Sequence, residues 1–476
     1  MKETSQLKKP RLPSIMEAIG IIVLVILIIV IGIRFGSGVP AMYMPLILSL
    51  GVITAFGMYL GNSYKGLQEG LVKAVGKVMV AVLILLMIGA VVGLWIASGT
   101  IPSLIYYGLK LVSPSSFMAT AFIVTCIMSL ATGTSWGTIG SIGVAMMGIG
   151  TALGANPAMA CGAVVSGALF GDKISPVSDT PNMAAAVTEV DIFEHIRSSA
   201  WTTIPAAVIA AIAFGIAGSR ASGSADMGQV QEMMAGLSNG WNISPLHLIP
   251  PLIFLLGSKY PSLIIIFINV IVGMLWSVIF QDASLRTIFA SATSGFVSNT
   301  GVQMVDSVLT NGGILQMLQV IVLLLCATGM GGLLDTIGVL EVIVNSVVKR
   351  VKSIFGLVAS VMFSSYVLAF LTGNQAMPIL LPGIAFNKVF DERKIHRSVL
   401  SRGVGDSGTI AVPLVPWGSM CGFITATLGV GHSEYWPYLW LTFLVPTFSL
   451  IYAATGFAIW RTDAPKKKDV RVDGNL

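Results

Sequence analysis

The chain has 476 residues, 55% of them hydrophobic and only 10% charged, with a mean hydropathy of +0.88. Soluble domains carry about 25% charged residues, so this composition excludes an ordinary soluble protein and predicts an all-α polytopic membrane protein. The net charge of +6 does not point to nucleic acid, because the positive residues lie in short stretches between apolar runs, which is a membrane-topology signal.

A helix needs about 20 residues to cross a bilayer. Apolar runs of that order lie at 14–34, 40–60, 75–97, 115–132, 137–154, 157–188, 200–219, 243–257, 261–280, 315–334, 355–372, 376–390, 398–430 and 437–460. The expectation is about 14 membrane segments. Those at 137–154, 243–257 and 376–390 are short enough to be re-entrant, and 157–188 and 398–430 are too long for one straight helix and carry internal Pro and Gly. The basic N-terminus leads into an apolar run that suits a retained first span. With both termini on one side, 21 Lys and Arg fall on that side and 4 on the other, Lys173 and Arg402 lying inside spans. Positive residues favour the cytoplasm, so both termini are expected there. The four cysteines (Cys126, Cys161, Cys326 and Cys421) show no metal spacing and read as small core residues.

The two halves resemble one another. MIGAVVGLWIASGTI (87–101) pairs with ATGMGGLLDTIGVL (327–340), and SLATGTSWGTIG (129–140) with AFLTGNQAMPIL (369–380). SGALFGDKISP (166–176) pairs with SRGVGDSGTIAVP (401–413), which sets Asp172 against Asp406; the three offsets are 239, 240 and 234. Seven spans per half is an odd number and inverts the second copy. The expected organisation is therefore a cytoplasmic tail 1–13, a first transmembrane repeat 14–219, a polar external linker 220–242, a second repeat 243–460 and a cytoplasmic tail 461–476, with broken helices in both repeats.

Carboxylates at bilayer depth are costly and mark function. GDKISPVSDTPN (171–182) offers Asp172 and Asp179 with the hydroxyls of Ser175, Ser178 and Thr180, and its prolines free backbone carbonyls. Such hard oxygen ligands suit a small cation, and close carboxylates resist ionising together. A site whose acids hold a metal cation or protons is the least that a cation/proton exchanger needs. Thr132, Thr134 and Ser135 in TGTSWG, and Asn374 and Gln375 in TGNQA, interrupt apolar segments where open helix ends could face an ion. In the second half, Asp406, Ser407 and Thr409 support that site. Arg402, four residues before Asp406, either pairs with it or stays free to hold a substrate carboxylate. Asp335 and Glu341 read as interfacial, His195 as a solvated residue of a cytoplasmic loop, and WPYLW (436–440) as an interfacial belt. No nucleotide-binding or nucleophile signature stands in a supporting context, so neither an enzyme nor a primary pump is expected.

GTSWGTIG together with GDKISPVSDTPNMAAAVTEVDIFEHIR closely resembles the signature region of the NhaC-type Na+/H+ antiporter family, which includes malate/lactate antiporters. The resemblance implies inverted repeats and a bacterial inner-membrane secondary antiporter exchanging Na+, with Li+ left open, for H+ by alternating access. It places Asp172, Ser175, Ser178, Asp179 and Thr180 near the cation, Asp172 and Asp179 as its metal ligands, with Thr134 and Ser135 opposite. The alternative is an organic-acid antiporter coupled to Na+ and H+, for which Lys173 and Arg402 would hold carboxylates. The expected partners are the lipid bilayer, Na+ and H+, and small carboxylates under the alternative; a homodimer is left open, and no cofactor or nucleic acid is expected.

Overall fold

The computed structural model describes residues 10–36, 39–221, 227–254, 260–349 and 353–462. The remainder of both tails, residues 222–226 of the expected linker, residues 255–257 of the expected run 243–257, Lys259 and residues 350–352 lie outside them. The described chain is helical, with only two isolated bridge pairs, Phe296–Asn311 and Ile395–Arg461. Seven helices are long and apolar enough to cross a membrane among the described residues: Ile15–Phe35, Pro40–Tyr59, Met79–Ala97, Ile192–Arg220, Ser262–Gln281, Ile314–Thr336 and Ile354–Thr372. Two bent pairs, 397–414 with 419–428 and 432–438 with 440–455, raise the number to nine. The other expected segments are shorter or broken. The run 157–188 divides into Pro157–Ile174 and Asp179–Val187. The run 398–430 divides into Arg397–Val404, a π turn Gly405–Thr409, a 3-10 turn Val412–Leu414 and Ser419–Leu428.

Most of the linker is not an open strand of polar chain. Met227–Gly240 forms a helix that buries Val230, Met233 and Leu237. Asp335 and Glu341 are exposed, and Cys126, Cys161 and Cys421 are buried free thiols.

Landmarks of the first half recur in the second at one spacing. Gly133 and Gly373 end helices in the left-handed conformation, with φ +67° and +59°. Asn156 and His396 cap the helices Pro157–Ile174 and Arg397–Val404 through their side chains, and the helices after the breaks begin at Asp179 and Ser419. Glu189 and Gly429 then take positive φ. The differences 373 − 133, 396 − 156, 419 − 179 and 429 − 189 all equal 240. In this register Asp172 corresponds to Val412, and the pairing of Asp172 with Asp406 is displaced by six residues. The two Gly-Asp pairs match by residue identity, whereas caps and turns are set by backbone conformations that different residues satisfy.

Close helix packing positions the first break. Helix Phe117–Thr132 lies along Pro157–Ile174, and a Cβ on Gly171 would stand 2.0 Å from the Leu130 nitrogen. Only glycine permits that approach. It delivers the next residue, Asp172, beside the 132–135 turn.

Candidate functional site

Asp172 lies in the last turn of its helix, and Asp179 opens the helix beyond the break. The non-helical stretch 175–178 therefore presents the two acids from two half-helices, not from one continuous face. Both line a cavity of about 260 Å³ together with Thr134, Thr180, Asn374 and Gln375. The Asp172 carboxylate is held from three sides. Ser178 Oγ donates to Oδ1 at 2.6 Å and Ser135 Oγ to Oδ2 at 2.7 Å. Gln375 Nε2 donates to the same Oδ2 at 3.4 Å and to the Thr409 carbonyl at 3.2 Å. Ser135 and Gln375 occupy equivalent positions in the 240-residue register, so both interrupted turns point at one carboxylate. Each carboxylate oxygen retains acceptor capacity beyond these bonds.

The other expected site residues also make hydrogen bonds within the chain, and Thr134, Thr180 and Asn374 do so while lining the cavity. Thr180 Oγ1 donates to the Asp172 carbonyl at 2.8 Å, and Ser175 Oγ to the Leu130 carbonyl at 2.8 Å, which fastens the break to the neighbouring helix. Thr134 caps the turn at Gly137, and Thr132 lies 3.4 Å from the Thr138 hydroxyl, buried. Asn374 Oδ1 accepts from the Ala376 and Met377 nitrogens and starts the helix Ala376–Glu392. Ser407 donates to the Gly403 carbonyl, a local helical bond. The cavity also involves residues that sequence reasoning did not single out: Lys77, Trp136, Met183, Ser262, Leu324 and Ser419. Only the register signal could have found Ser419, the counterpart of Asp179.

The two basic residues inside spans face away from this cavity. Lys173 Nζ meets Asp406 Oδ1 at 2.6 Å and Thr203 Oγ1 at 2.8 Å, with neither charged side chain exposed. Thr202 Oγ1 also donates to Asp406, at 3.0 Å. Successive helical residues differ by about 100° in direction, which explains why Asp172 reaches the cavity and Lys173 the opposite side. Arg402 does not pair with Asp406. It donates to the Ala458 carbonyl at 3.0 Å and stacks over Trp460 at 5.5 Å. His195 is not a solvated loop residue. Asp191 Oδ1 accepts from the Phe193 nitrogen at the start of helix Ile192–Ala221, and this turns His195 inward. It is fully buried, with Nδ1 2.7 Å from Ser401 Oγ. Among the described residues, no three His, Cys, Asp or Glu side chains gather as metal ligands.

Apolar spanning helices, breaks within the bundle, and two carboxylates facing one internal cavity define an ion-transporting membrane protein. The sequence model of the Na+/H+ antiporter family matches residues 9–181 and 167–457. The chain belongs to this family. It is 37% identical over 463 residues to the malate-2H(+)/Na(+)-lactate antiporter of Bacillus subtilis, covering 96% of this chain and 98% of that protein. It is 34% identical to the Na(+)/H(+) antiporter NhaC of Alkalihalophilus pseudofirmus, covering 90% and 93%. It is 32% identical to the arginine/ornithine antiporter ArcD of Halobacterium salinarum, covering 89% and 88%.

Proposed function

We propose that the protein is a secondary antiporter of the bacterial inner membrane that exchanges cytoplasmic Na+ for external H+ by alternating access. The observation that carries this reading is the sign of the cavity. Asp172 and Asp179 line it against one lysine, the exposed Lys77, whereas Lys173 and Arg402 are engaged elsewhere, on Asp406 and on the Ala458 carbonyl with Trp460. Two carboxylates with hydroxyl and carbonyl oxygens attract a hard cation, and the same carboxylates carry protons when the cation leaves. Na+ and H+ then compete for one site, so acid pH inhibits and alkaline pH raises apparent Na+ affinity. The 240-residue register supports two repeats, 14–219 and 243–460; seven segments in each would invert the second and leave both termini on one side, which the excess of Lys and Arg there makes cytoplasmic. In that arrangement the site is single, because Val412 and Ser419 stand where the first repeat has Asp172 and Asp179.

The malate/lactate relative and the exposed Lys77 lining the cavity favour a second reading, exchange of small carboxylates coupled to Na+ and H+. Proteoliposomes loaded in turn with Na+, Li+, K+, malate and lactate separate the two. The expected result is proton movement driven by Na+, unaltered by malate or lactate and abolished in Asp172→Asn. Exchange unchanged in that variant would overturn the cation site, and stimulation by malate or lactate would establish the second reading.

A further inference from the structure

A second cavity, of about 350 Å³, lies beyond the first along the same two elements. Helix Ser419–Leu428 contributes Ser419 to the Asp172 cavity and Ala426 and Thr427 to the second one. The stretch Ser135–Ala152 contributes Trp136 to the first and Val144, Met147 and Thr151 to the second. At about 1.5 Å per helical residue, seven or eight residues separate the two by roughly 10–12 Å. The second cavity is polar and opens at the surface of the bundle, where Ser307, Thr310 and Gly429 are exposed. Thr151, Ser307, Thr310, Asn311, Gln316 and Thr427 line it. The Thr427 hydroxyl is buried without a protein partner, an arrangement that is unfavourable unless water reaches it.

What separates the cavities is thin and apolar. Trp136 and Phe423 face each other with ring centroids 4.9 Å apart, and Phe423 is fully buried. Ile88 closes over the same level, close enough that a Cβ on Gly140 would stand 2.5 Å from its Cγ2. Between Trp136 and Val144 the backbone forms a π turn, Ile139–Gly143, a feature frequent at functional sites. The far end of helix Ser419–Leu428 is tied down by side chains from another element. Asn311 Nδ2 donates to the Thr427 carbonyl at 3.0 Å, and Gln316 Nε2 to the Ala426 carbonyl. The side-chain oxygens of both residues also accept from the Gly312 nitrogen, and Gly313 donates to the Gly89 carbonyl at 2.7 Å. The tie is therefore anchored on helix Met79–Ala97, while the half-helix it holds carries Ser419 into the ion cavity.

We infer that the second cavity is the other half of the ion path, shut in this conformation by the Trp136–Phe423 seal and by the Asn311 and Gln316 tie. The Asp172 cavity and the second cavity then reach opposite sides of the membrane. Movement of the half-helix away from Asn311 and Gln316 parts the seal and exposes Asp172 to the other side. This inference rests on antiport by alternating access, but its readouts do not depend on which ion is carried.

The test labels single cysteines, in a chain whose four native cysteines are replaced, with a membrane-impermeant maleimide applied to either side of oriented vesicles. Lys77→Cys is expected to react from one side, and Ser307→Cys and Thr427→Cys from the opposite side. Asn311→Ala combined with Gln316→Ala speeds labelling of Thr427→Cys several-fold from that side. Reaction of Ser307→Cys and Thr427→Cys from the Lys77→Cys side, or of Thr427→Cys from neither side, would overturn the path. Phe423→Ala in proteoliposomes is expected to pass Na+ down its gradient without matching proton movement; tight coupling retained in that variant would overturn the seal. If Phe423→Ala does not fold, Phe423→Leu keeps an apolar residue without the ring and is read in the same way. Opposite-side labelling together with no Na+ response would leave the path standing and remove the Na+ reading.

Discussion

Lys173 and Asp406 form a 2.6 Å ion pair with no exposure of either charged side chain, although 233 residues separate them in the chain (406 − 173). The pair joins the helix that carries Asp172 to the π turn whose Thr409 carbonyl receives Gln375. Breaking one side of a buried pair leaves an uncompensated charge and costs about 3–5 kcal/mol. Lys173→Met or Asp406→Asn should therefore each lower the unfolding midpoint in detergent sharply, and Lys173→Met with Asp406→Leu should regain most of the loss. Asp406→Asn as stable as the parent protein would show that the pair contributes nothing net.

The acids and the two glycine turns were legible in the sequence because bilayer chemistry makes them conspicuous. Asp172 and Asp179 stand out where charge is costly, and TGTSWG and TGNQA where glycine breaks apolar runs. The partner of Asp406 was not legible. Arg402, four residues earlier, satisfied the helical spacing rule, but the chain passes through a π turn at Gly405–Thr409 and Lys173 arrives from the other half. The burial of His195 was hidden for a related reason. The charged run TEVDIFEH reads as loop, yet its helix starts at Ile192 and packs against the helix carrying Ser401.

Gly133 and Gly373 hold equivalent turns with unequal room. A Cβ at Gly133 would stand 2.5 Å from Val177 Cγ2 and 2.9 Å from the Ser178 nitrogen, whereas at Gly373 the nearest atom, Ala327 Cβ, is 3.0 Å away. Left-handed backbone costs a non-glycine residue about 1–2 kcal/mol, and overpacking adds about 1–3 kcal/mol. Gly133→Ala is expected to lower both stability and exchange more than Gly373→Ala. Adding Val177→Ala should restore only part of the loss, because the Ser178 backbone remains in the way. Thermal unfolding and Na+-driven proton uptake measured on the same preparations check both statements; equal effects at the two glycines would contradict the packing difference.

Asp306 carries a pH dependence outside the membrane segments. Ser298 Oγ donates to its carboxylate at 2.6 Å, the Thr300 nitrogen at 2.8 Å and the Gly301 nitrogen at 3.1 Å, and these bonds hold the carboxyl below its ordinary range. A carboxyl depressed in the folded state stabilises fully above its unfolded value, near about 4, and loses that contribution as pH falls through the folded value. Amide exchange at Thr300 and Gly301, measured against the intrinsic rate at each pH, should stay protected at neutral pH and lose that protection only under acid conditions. Asp306→Asn should accelerate it already at neutral pH, since its amide group presents a donor to these donors. Exchange insensitive to both changes would mean that the segment 298–301 is held by other contacts.

Ser135, Ser178 and Gln375 fix the Asp172 carboxylate, and under the proposed function they set how it meets a cation. Hydrogen bonds to charged groups contribute about 1.5–3 kcal/mol, and each 1.4 kcal/mol is about tenfold in affinity. Ser135→Ala removes a 2.7 Å bond and leaves Oδ2 held only by the long Gln375 contact, so the Na+ KM should rise about tenfold or more with the protein folded. Ser178→Ala should act similarly through Oδ1, bonded at 2.6 Å. Gln375→Ala removes a contact that is already long at 3.4 Å, but also the 3.2 Å bond that ties its turn to Thr409. It should therefore raise KM less than Ser135→Ala and depress kcat more, because the second turn loses its anchor to the segment carrying Asp406. Initial rates across a Na+ series at fixed pH separate these effects. If Ser135→Ala lowers kcat and leaves KM unchanged, its hydroxyl serves the movement between states and does not orient the carboxylate that binds Na+.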